Sequence, residues 1–223
     1  MASGPRRIAF APRLVIMAKS SAAGRVKRRL ARGIGDVAAI RFYRNALNHT
    51  VARLGADPRW RTYLAVAPDH AVAAPYWPSA GKIPHIPQGA GDLGARMQAL
   101  FDRLPPGPVV IVGSDIPRIS PAHIAHAFKL LGRADAVFGP APDGGYWLFG
   151  LKRSPRCPRP FRGVPWSTGE ALAATRANLR GNAVAVTSLL SDVDTEEDYR
   201  RERNAAARRI LYRNAKCPSL IQP

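Results

Sequence analysis

The sequence predicts a protein of the α/β class, in which helices cover both faces of a mostly parallel sheet. Two observations indicate this fold. Short, continuous apolar runs alternate with longer amphipathic segments along most of the chain. Loops rich in glycine or charge follow the ends of several apolar runs. With 223 residues, of which 46% are hydrophobic, the chain is long enough to bury a sizeable core.

The most distinct strand is predicted at residues 109–112, which are four consecutive β-branched residues. Prolines precede this run, and Gly113 and Pro117 follow it, which is typical of a short strand that is buried on both faces. Similar apolar runs predict further strands at residues 14–18, 62–67, 83–86, 136–140, 146–151 and 183–187.

Helices are predicted between these strands. Apolar residues recur at helical spacing through residues 40–54, 93–104 and 121–131, and another helix begins near Val26. The S-T-G-E pattern at residues 167–170 predicts a capping box that opens a helix, and Thr195 is expected to cap the last helix. The proline-rich, basic residues 152–166 indicate a flexible lid or spacer.

The charge balance is strongly basic. Lysine and arginine number 34 against 15 aspartate and glutamate residues, for a formal net charge of +19. Such a field attracts polyanions, including nucleic acid, acidic lipid and nucleotide phosphates, without selecting one of them. Because no basic motif interleaved with aromatic residues is present, as RNA-binding modules have, we do not expect nucleic acid to be the partner.

The two cysteines and the N-terminal residues indicate the cellular compartment of the protein. Cys157 and Cys217 form neither a C-x-x-C pair nor a metal-spaced set, so neither a disulfide nor a zinc site is expected. The first apolar stretch is broken by Pro12 and Arg13, which makes it too short for a signal peptide, and no later run is long enough to span a bilayer. We therefore expect a cytoplasmic protein.

A basic loop follows the first predicted strand. Residues 19–32 contain six basic residues and no acidic residue, and Gly24 allows a tight turn before a helix. Backbone N–H groups at a helix start, together with Lys and Arg, suit a diphosphate or triphosphate. The loop is not a Walker A motif, because no G-K-[ST] follows its glycine. The alternative is a solvated basic helix face, especially for Arg28 and Arg32.

Separated carboxylates also fall where predicted strands end. Asp115 follows the strand at 109–112, Asp143 lies one element later, and Asp192 with Asp194 comes near the end of the chain. In open α/β sheets this edge binds ligands, and carboxylates there suit a divalent cation. Each has a plainer alternative: Asp115 caps a turn, and Asp143 belongs to a D-G-G hairpin turn. Asp92 similarly suits a helix cap.

Six motifs then occur in the order found in one known family. They are Met17-Ala18-Lys19, residues 24–30, Gln88 with residues 91–97, residues 113–117, residues 139–146 and residues 192–198. With them the chain resembles the rSAM/selenodomain-associated glycosyltransferase-like family. That family belongs to the GT-A (nucleotide-diphospho-sugar transferase) superfamily and is related to molybdenum-cofactor and phospholactate nucleotidyltransferases. The resemblance implies a three-layer α/β/α GT-A fold.

The resemblance also implies roles for individual residues. Asp115 and Asp194 would bind Mg²⁺ or Mn²⁺, and the catalytic candidates are Asp115, Lys27 and Asp143, the last as general base. The other implied residues bind parts of the substrates: Lys19, Gly24, Lys27 and Arg29 the phosphates; Gln88, Gly91, Asp92, Gly94 and Arg96 the nucleotide; and Asp143, Gly144, Gly145 and Tyr146 the acceptor.

Two reactions fit these residues. The first is glycosyl transfer from a nucleotide-activated sugar to a small acceptor, and the second is nucleotidyl transfer from an NTP to a phosphorylated or carboxylated metabolite. Both need the same cation and basic loop, so residue types do not separate them, and the oligomeric state stays open. A non-enzymatic polyanion binder would leave the carboxylates unexplained. We expect a transferase domain at residues 13–199, with a basic extension at 1–12 and a basic tail at 200–223.

Overall fold

Seven strands form one sheet in the computed structural model, which describes residues 10–21, 26–78, 83–153 and 157–215, with side chains up to residue 205. The order across the sheet is β3-β2-β1-β4-β6-β5-β7, and every pair is parallel except the two that β6 makes. The strands are β1 (Arg13–Lys19), β2 (Arg61–Ala67), β3 (His85–Pro87), β4 (Val109–Gly113), β5 (Ala136–Pro140), β6 (Tyr146–Leu151) and β7 (Val184–Val186). The predicted α/β class and mostly parallel sheet are confirmed.

Helices cover both faces of this sheet. They are α1 (Arg28–Ile34), α2 (Asp36–Leu54), α3 (Leu93–Arg103), α4 (Pro121–Leu131), α5 (Ala171–Ala177) and α6 (Glu196–Ala215). Successive side chains of a strand point to opposite faces. Accordingly, Leu14 and Ile16 of β1 pack in a core with residues of α2 and α4, whereas Val15 packs in a second core with residues of α3. The result is the expected three-layer arrangement.

The two central strands are the most deeply buried. The side chains of residues 109–112 in β4 are at most 3% exposed, and Leu14, Val15 and Ile16 in β1 are fully buried. Parallel strands with both faces covered need apolar residues at consecutive positions, so the continuous runs in the sequence have this physical cause. Because β1 and β4 are adjacent and parallel, their C-terminal ends lie side by side.

Two of the three predicted helix caps are present. The Asp92 carboxylate accepts a hydrogen bond from the Ala95 N–H at 2.8 Å, and the Thr195 hydroxyl accepts one from the Asp198 N–H at 3.3 Å. The capping box predicted at residues 167–170 is wrong. That segment forms turns, Ser167 has a left-handed backbone with φ of 64°, and α5 begins only at Ala171.

Part of the segment predicted to be a flexible lid or spacer packs on the core. Within residues 157–166, Phe161 is buried and stacks near Phe101 with ring centroids 6.2 Å apart, so this part is packed on the core. Helix α6 runs from Glu196 to Ala215. None of the helices in the described part of the chain combines the length and the apolar character that crossing a membrane requires.

The turn between β5 and β6 packs against the start of α5. Asp143 accepts a hydrogen bond from the Gly145 N–H at 3.0 Å, as in the predicted D-G-G turn. Gly144 has a φ of 79°, and a side chain there would overlap the backbone carbonyl of Gly169. The Leu172 N–H donates to the Gly144 carbonyl at 3.1 Å. The turn therefore holds the 167–170 segment in place.

We expect Gly144→Ala to destabilise the protein by about 3 kcal/mol, because both an unfavourable backbone conformation and a steric overlap would be introduced. Gly163→Ala is the matched control, since Gly163 also has a left-handed φ, of 67°, but nothing within 4 Å of an added Cβ. It should cost only about 1 kcal/mol. Equilibrium urea unfolding measures both; equal losses would contradict the packing of this turn on Gly169.

Candidate active site

A cavity of about 720 Å³ opens at the C-terminal ends of β1 and β4. Met17, Ala18 and Lys19 line it from the end of β1, and Gly113 and Asp115 line it from the end of β4. Because β2 and β4 lie on opposite sides of β1, the cavity lies where the strand order reverses. In open α/β sheets this is the position at which ligands bind.

Three carboxylates form a cluster, of which Asp115 and Asp194 line the cavity. Asp115, Asp192 and Asp194 each place an oxygen within 4.8 Å of the other two. Val193, between the last two, is fully buried, and its N–H donates to the Asp115 carbonyl at 3.3 Å. This anchor holds the 192–194 segment beside the end of β4 and so brings the acidic side chains together.

Lys27 neutralises part of this charge. Its ammonium group forms an ion pair with Asp115 and lies 2.6 Å from an Asp194 oxygen, and its side chain is only 6% exposed. Burial favours the neutral form of Lys27, but the adjacent Asp115 and Asp194 carboxylates outweigh burial and raise its pKa above the ordinary value. Lys27 is therefore firmly protonated. Arg29 is 3.5 Å from Asp194 but 72% exposed.

The negative charge of Asp192 is less well compensated than the charges of Asp115 and Asp194, which pair with Lys27. Burial, and then the negative charge of Asp115, raises its pKa to about 6, while Lys27 opposes the shift. Among the described residues, no basic side chain forms an ion pair with it. The site thus contains a carboxylate that lacks a positive partner of its own.

The cluster fits a divalent cation. Carboxylate oxygens are the donors that Mg²⁺ and Mn²⁺ prefer, and the Lys27 ammonium already stands in as a cation between two of them. The uncompensated Asp192 offers a third oxygen beside that position. These residues can therefore hold a metal ion.

The remaining cavity wall is basic, and several of its residues also support the local fold. Lys19, Arg29 and Arg96 border the cavity, with Gly91 and Asp92 between them. Arg96 donates from its Nε to the Gly91 carbonyl at 2.9 Å, which holds the loop at the start of α3. Gly91 itself has a φ of 94°, which favours glycine.

Gln88 lines the cavity from beneath this loop and is only 2% exposed. Its amide nitrogen donates to the carbonyls of Ala18 and Ala65 at 2.9 and 2.8 Å, so it ties the ends of β1 and β2 together. Both amide hydrogens are used in these two bonds. Gln88 therefore has a structural role in addition to its place at the cavity.

Some expected site residues lie elsewhere. Gly94 is not among the described cavity-lining residues; it packs against Trp166, so that an added Cβ would approach the indole to 2.7 Å. Residues 143–146 likewise do not line it, although the Asp143 charge is close enough to add to the raised pKa of Asp192. Tyr146 is half-buried in an aromatic cluster. Gly24 and Cys217 lie outside the described residues.

The structure adds Tyr43 and Trp166 to the cavity wall, and it brings Asp192, to which the family resemblance gave no role, into the carboxylate cluster. The Tyr43 hydroxyl accepts from the Lys19 N–H at 2.7 Å and donates to the Lys19 carbonyl at 3.0 Å, whereas sequence periodicity indicated core packing alone. Asp192 had a sequence signal in the D-x-D spacing, but Trp166 lay in the segment predicted to be a lid.

Solved structures identify the fold. A proposed nucleotide-diphospho-sugar transferase from Desulfovibrio desulfuricans G20 is 27% identical with a TM-score of 0.75, covering 93% of this chain and 96% of that one. Two others share only the fold. A 4-diphosphocytidyl-2C-methyl-D-erythritol synthase from Anaerococcus prevotii DSM 20548 is 12% identical with a TM-score of 0.55, covering 85% of this chain and 95% of that one. Rv0371c from Mycobacterium tuberculosis H37Rv, in complex with manganese, is 18% identical with a TM-score of 0.51, covering 86% of this chain and 97% of that one. The chain has the nucleotide-diphospho-sugar transferase fold.

One protein-family model matches the chain. Residues 50–168 match the model of the family described as "Uncharacterized protein conserved in bacteria (DUF2064)". Because this match spans more than half of the 223 residues, the chain belongs to that family. No curated protein sequence matches the chain significantly.

We expect Asp192→Asn to stabilise the metal-free protein above pH 6. The folded protein keeps the Asp192 proton up to about pH 6, whereas the ordinary pKa is 3.8. The folded state therefore loses stability as the pH rises between these values, by about 1 to 3 kcal/mol in all. Thermal unfolding in EDTA should show a higher Tm for the variant at pH 8 and little difference at pH 4. An unchanged or lower Tm at pH 8 would contradict this assignment.

Proposed function

We propose that the protein is a metal-dependent transferase that moves a glycosyl group from a nucleotide-activated sugar to a small acceptor. One observation carries the proposal: a cluster of three carboxylates that can hold a cation, of which Asp115 and Asp194 line the cavity, lies beside the basic residues of that cavity at the switch point of the sheet. The 27% identical structure from D. desulfuricans, itself a proposed nucleotide-diphospho-sugar transferase, supports the same class of donor.

In this proposal the charged residues act on the diphosphate. Lys19, Arg29 and Arg96, with the backbone at Gly24, bind the phosphate oxygens, and Lys27 stabilises the charge on the leaving group. Asp115, Asp192 and Asp194 would hold Mg²⁺ or Mn²⁺, which supplies Lewis-acid stabilisation of the same charge when it is bound. The bond from the sugar to the diphosphate oxygen breaks, and a bond to an acceptor oxygen forms.

The base and ribose of the donor, and the acceptor, would contact other residues. Gln88, Gly91 and Asp92 would shape the region for base and ribose, and Gly94 would contribute through its packing against Trp166, which lines the cavity. Gly144, Gly145 and Tyr146 shape the region proposed for the acceptor. Asp143 is exposed and close to Asp192, so we propose that it takes the proton of the acceptor hydroxyl as general base.

Nucleotidyl transfer is the second candidate, in which an NTP reacts with a phosphorylated or carboxylated metabolite and pyrophosphate leaves. The charge of the described cavity wall favours it. Five basic residues, Lys19, Lys27, Arg28, Arg29 and Arg96, outnumber Asp92, Asp115 and Asp194 there. A triphosphate, with about four negative charges, would neutralise this excess of positive charge more completely than a diphosphate ester would.

We also propose a subfamily, domain bounds and a cellular location for the protein. The six sequence motifs support membership of the rSAM/selenodomain-associated glycosyltransferase-like group and a transferase domain at residues 13–199, with basic segments at 1–12 and 200–223. Cysteine usage supports a cytoplasmic location. Nucleic acid is not required by the site, because the cavity itself accounts for clustered basic residues.

The first test is a thermal-shift series with UDP-, GDP-, CDP- and ADP-sugars and the matching NTPs, each with and without Mn²⁺. A ligand that binds only the folded protein raises Tm once its concentration exceeds its Kd. We expect a manganese-dependent rise with one nucleotide-sugar, and Asp115→Asn should abolish it. A rise confined to one NTP would replace glycosyl transfer by nucleotidyl transfer. No rise with any of them would contradict both.

Trp166 offers an independent optical reporter of that binding. The indoles of Trp60, Trp77 and Trp147 are buried, and each donates from its N–H to a backbone carbonyl, those of Leu54, Ala71 and Ser188 respectively. Trp166 borders the cavity, and its buried N–H has no partner among the described residues. A ligand in the cavity therefore changes the surroundings of this indole most.

We expect the ligand that raises Tm to change the intrinsic fluorescence of the wild-type protein, and Trp166→Phe to remove most of that change. Trp77→Phe is the control, since it removes an indole that does not line the cavity. A fluorescence titration at fixed Mn²⁺ measures both variants. If the signal survives in Trp166→Phe and disappears in Trp77→Phe, the ligand binds elsewhere.

A further inference from the structure

The Lys27 ammonium lies where the metal ion of the proposed function would bind. It contacts Asp115 and lies 2.6 Å from Asp194, and these are two of the three residues that form the carboxylate cluster. The Lys27 side chain is 6% exposed, whereas those of Asp115 and Asp194 are 21% and 41% exposed, so the ammonium is buried while the carboxylates stay open to a ligand. The same oxygens cannot serve the ammonium and a divalent cation at full strength together.

Electrostatic repulsion makes the two cations competitors. A singly charged and a doubly charged group a few ångströms apart repel each other strongly, and the repulsion is larger in an enclosed site than in water. A metal ion that binds Asp115, Asp192 and Asp194 must therefore displace the Lys27 ammonium. The displaced ammonium needs another anion, because a buried charge without a partner is costly.

The cavity provides the place for that anion. Lys19, Arg29 and Arg96 line the same cavity as Lys27, and the proposed phosphates would lie among them. Lys27 is also the residue immediately before α1, with a left-handed backbone (φ 52°, ψ 43°). Its side chain extends from the start of a helix, next to the cavity, to the carboxylates.

We propose that Lys27 is a displaceable internal counterion that makes metal binding depend on a phosphate ligand. Without phosphate, the ammonium neutralises Asp115 and Asp194 and keeps the affinity for the metal low. When phosphate binds, the ammonium moves to its oxygens and leaves the carboxylates to the metal. Because such coupling is reciprocal, the metal raises the affinity for phosphate by the same factor. The inference rests on the proposed function and adds the order of binding to it.

Arg29 provides a matched control for simple charge effects. It is also 3.5 Å from Asp194, but it is 72% exposed and forms no ion pair with Asp115 in the described part of the chain. Lys27→Met and Arg29→Met each remove one positive charge from the same carboxylate cluster. Only Lys27→Met removes the group that lies between the two carboxylates.

The test is a titration of Mn²⁺ alone, with free Mn²⁺ measured by electron paramagnetic resonance at pH 7.5. We expect Lys27→Met to bind Mn²⁺ at least about tenfold more tightly than the wild type, and Arg29→Met to differ from the wild type by no more than about threefold. Equal gains in both variants would reduce the effect to general electrostatics and overturn the proposal. So would an unchanged or weaker affinity in Lys27→Met.

Folding of Lys27→Met is checked separately, since removing one partner of a buried ion cluster is strongly destabilising. Circular dichroism should show a lower Tm than the wild type in EDTA and recovery with Mn²⁺. If Lys27→Met does not fold without metal, a measurement on the wild type still tests the proposal. Its affinity for Mn²⁺ should rise at least about tenfold with saturating pyrophosphate, after correction for Mn²⁺ bound by free pyrophosphate. No rise would overturn the proposal.

The outcomes also separate this proposal from the proposed function. If wild type and Lys27→Met bind Mn²⁺ equally tightly, and Asp115→Asn abolishes binding in both, the counterion role fails while the metal site stands. If neither protein binds millimolar Mn²⁺, with or without pyrophosphate, both the counterion role and the metal-dependent function fail.

Discussion

The contact of the buried Lys27 ammonium with Asp115 and Asp194 is the constraint on which the site depends. These residues come from the start of α1, the end of β4 and the segment before α6, so three distant parts of the chain must meet. Lys27 is the buried charge of the three, since its side chain is 6% exposed and that of Asp194 is 41% exposed, so loss of the carboxylates would leave its ammonium without a partner and destabilise the protein. The fully buried Val193 fixes the acidic segment from the core side.

Parallel strand pairing supplies the place at which this contact forms. Because β1 and β4 are neighbours and parallel, the basic loop after one and the carboxylate after the other leave the sheet at the same edge. The opposite wall depends on aromatic packing. Phe161 packs on the core and Trp166 lies over Gly94, which brings a segment distant in sequence to the cavity.

Several residues at the cavity hold the fold and face the ligand region at the same time. Asp92 caps α3, Gln88 joins the ends of β1 and β2, and the Tyr43 hydroxyl bonds both backbone groups of Lys19. A structural role therefore does not argue against a functional one at these positions. The hydrogen bonds of Asp92, Gln88 and Tyr43 hold the described backbone beside the cavity, which lowers the cost of ordering these residues when a ligand binds.

The sequence by itself determined the α/β class and the approximate bounds of the strands and central helices, and its family resemblance made Lys27, Asp115 and Asp194 candidate site residues. It did so because buried strands need apolar runs and helices need a 3.6-residue period, both of which are local signals. Only the tertiary structure decided that Asp192 joins the cluster, that Trp166 borders the cavity, that Gly94 faces an indole, and that residues 167–170 form turns. These features depend on contacts between segments far apart in the chain, and no local pattern of residue types encodes such distances.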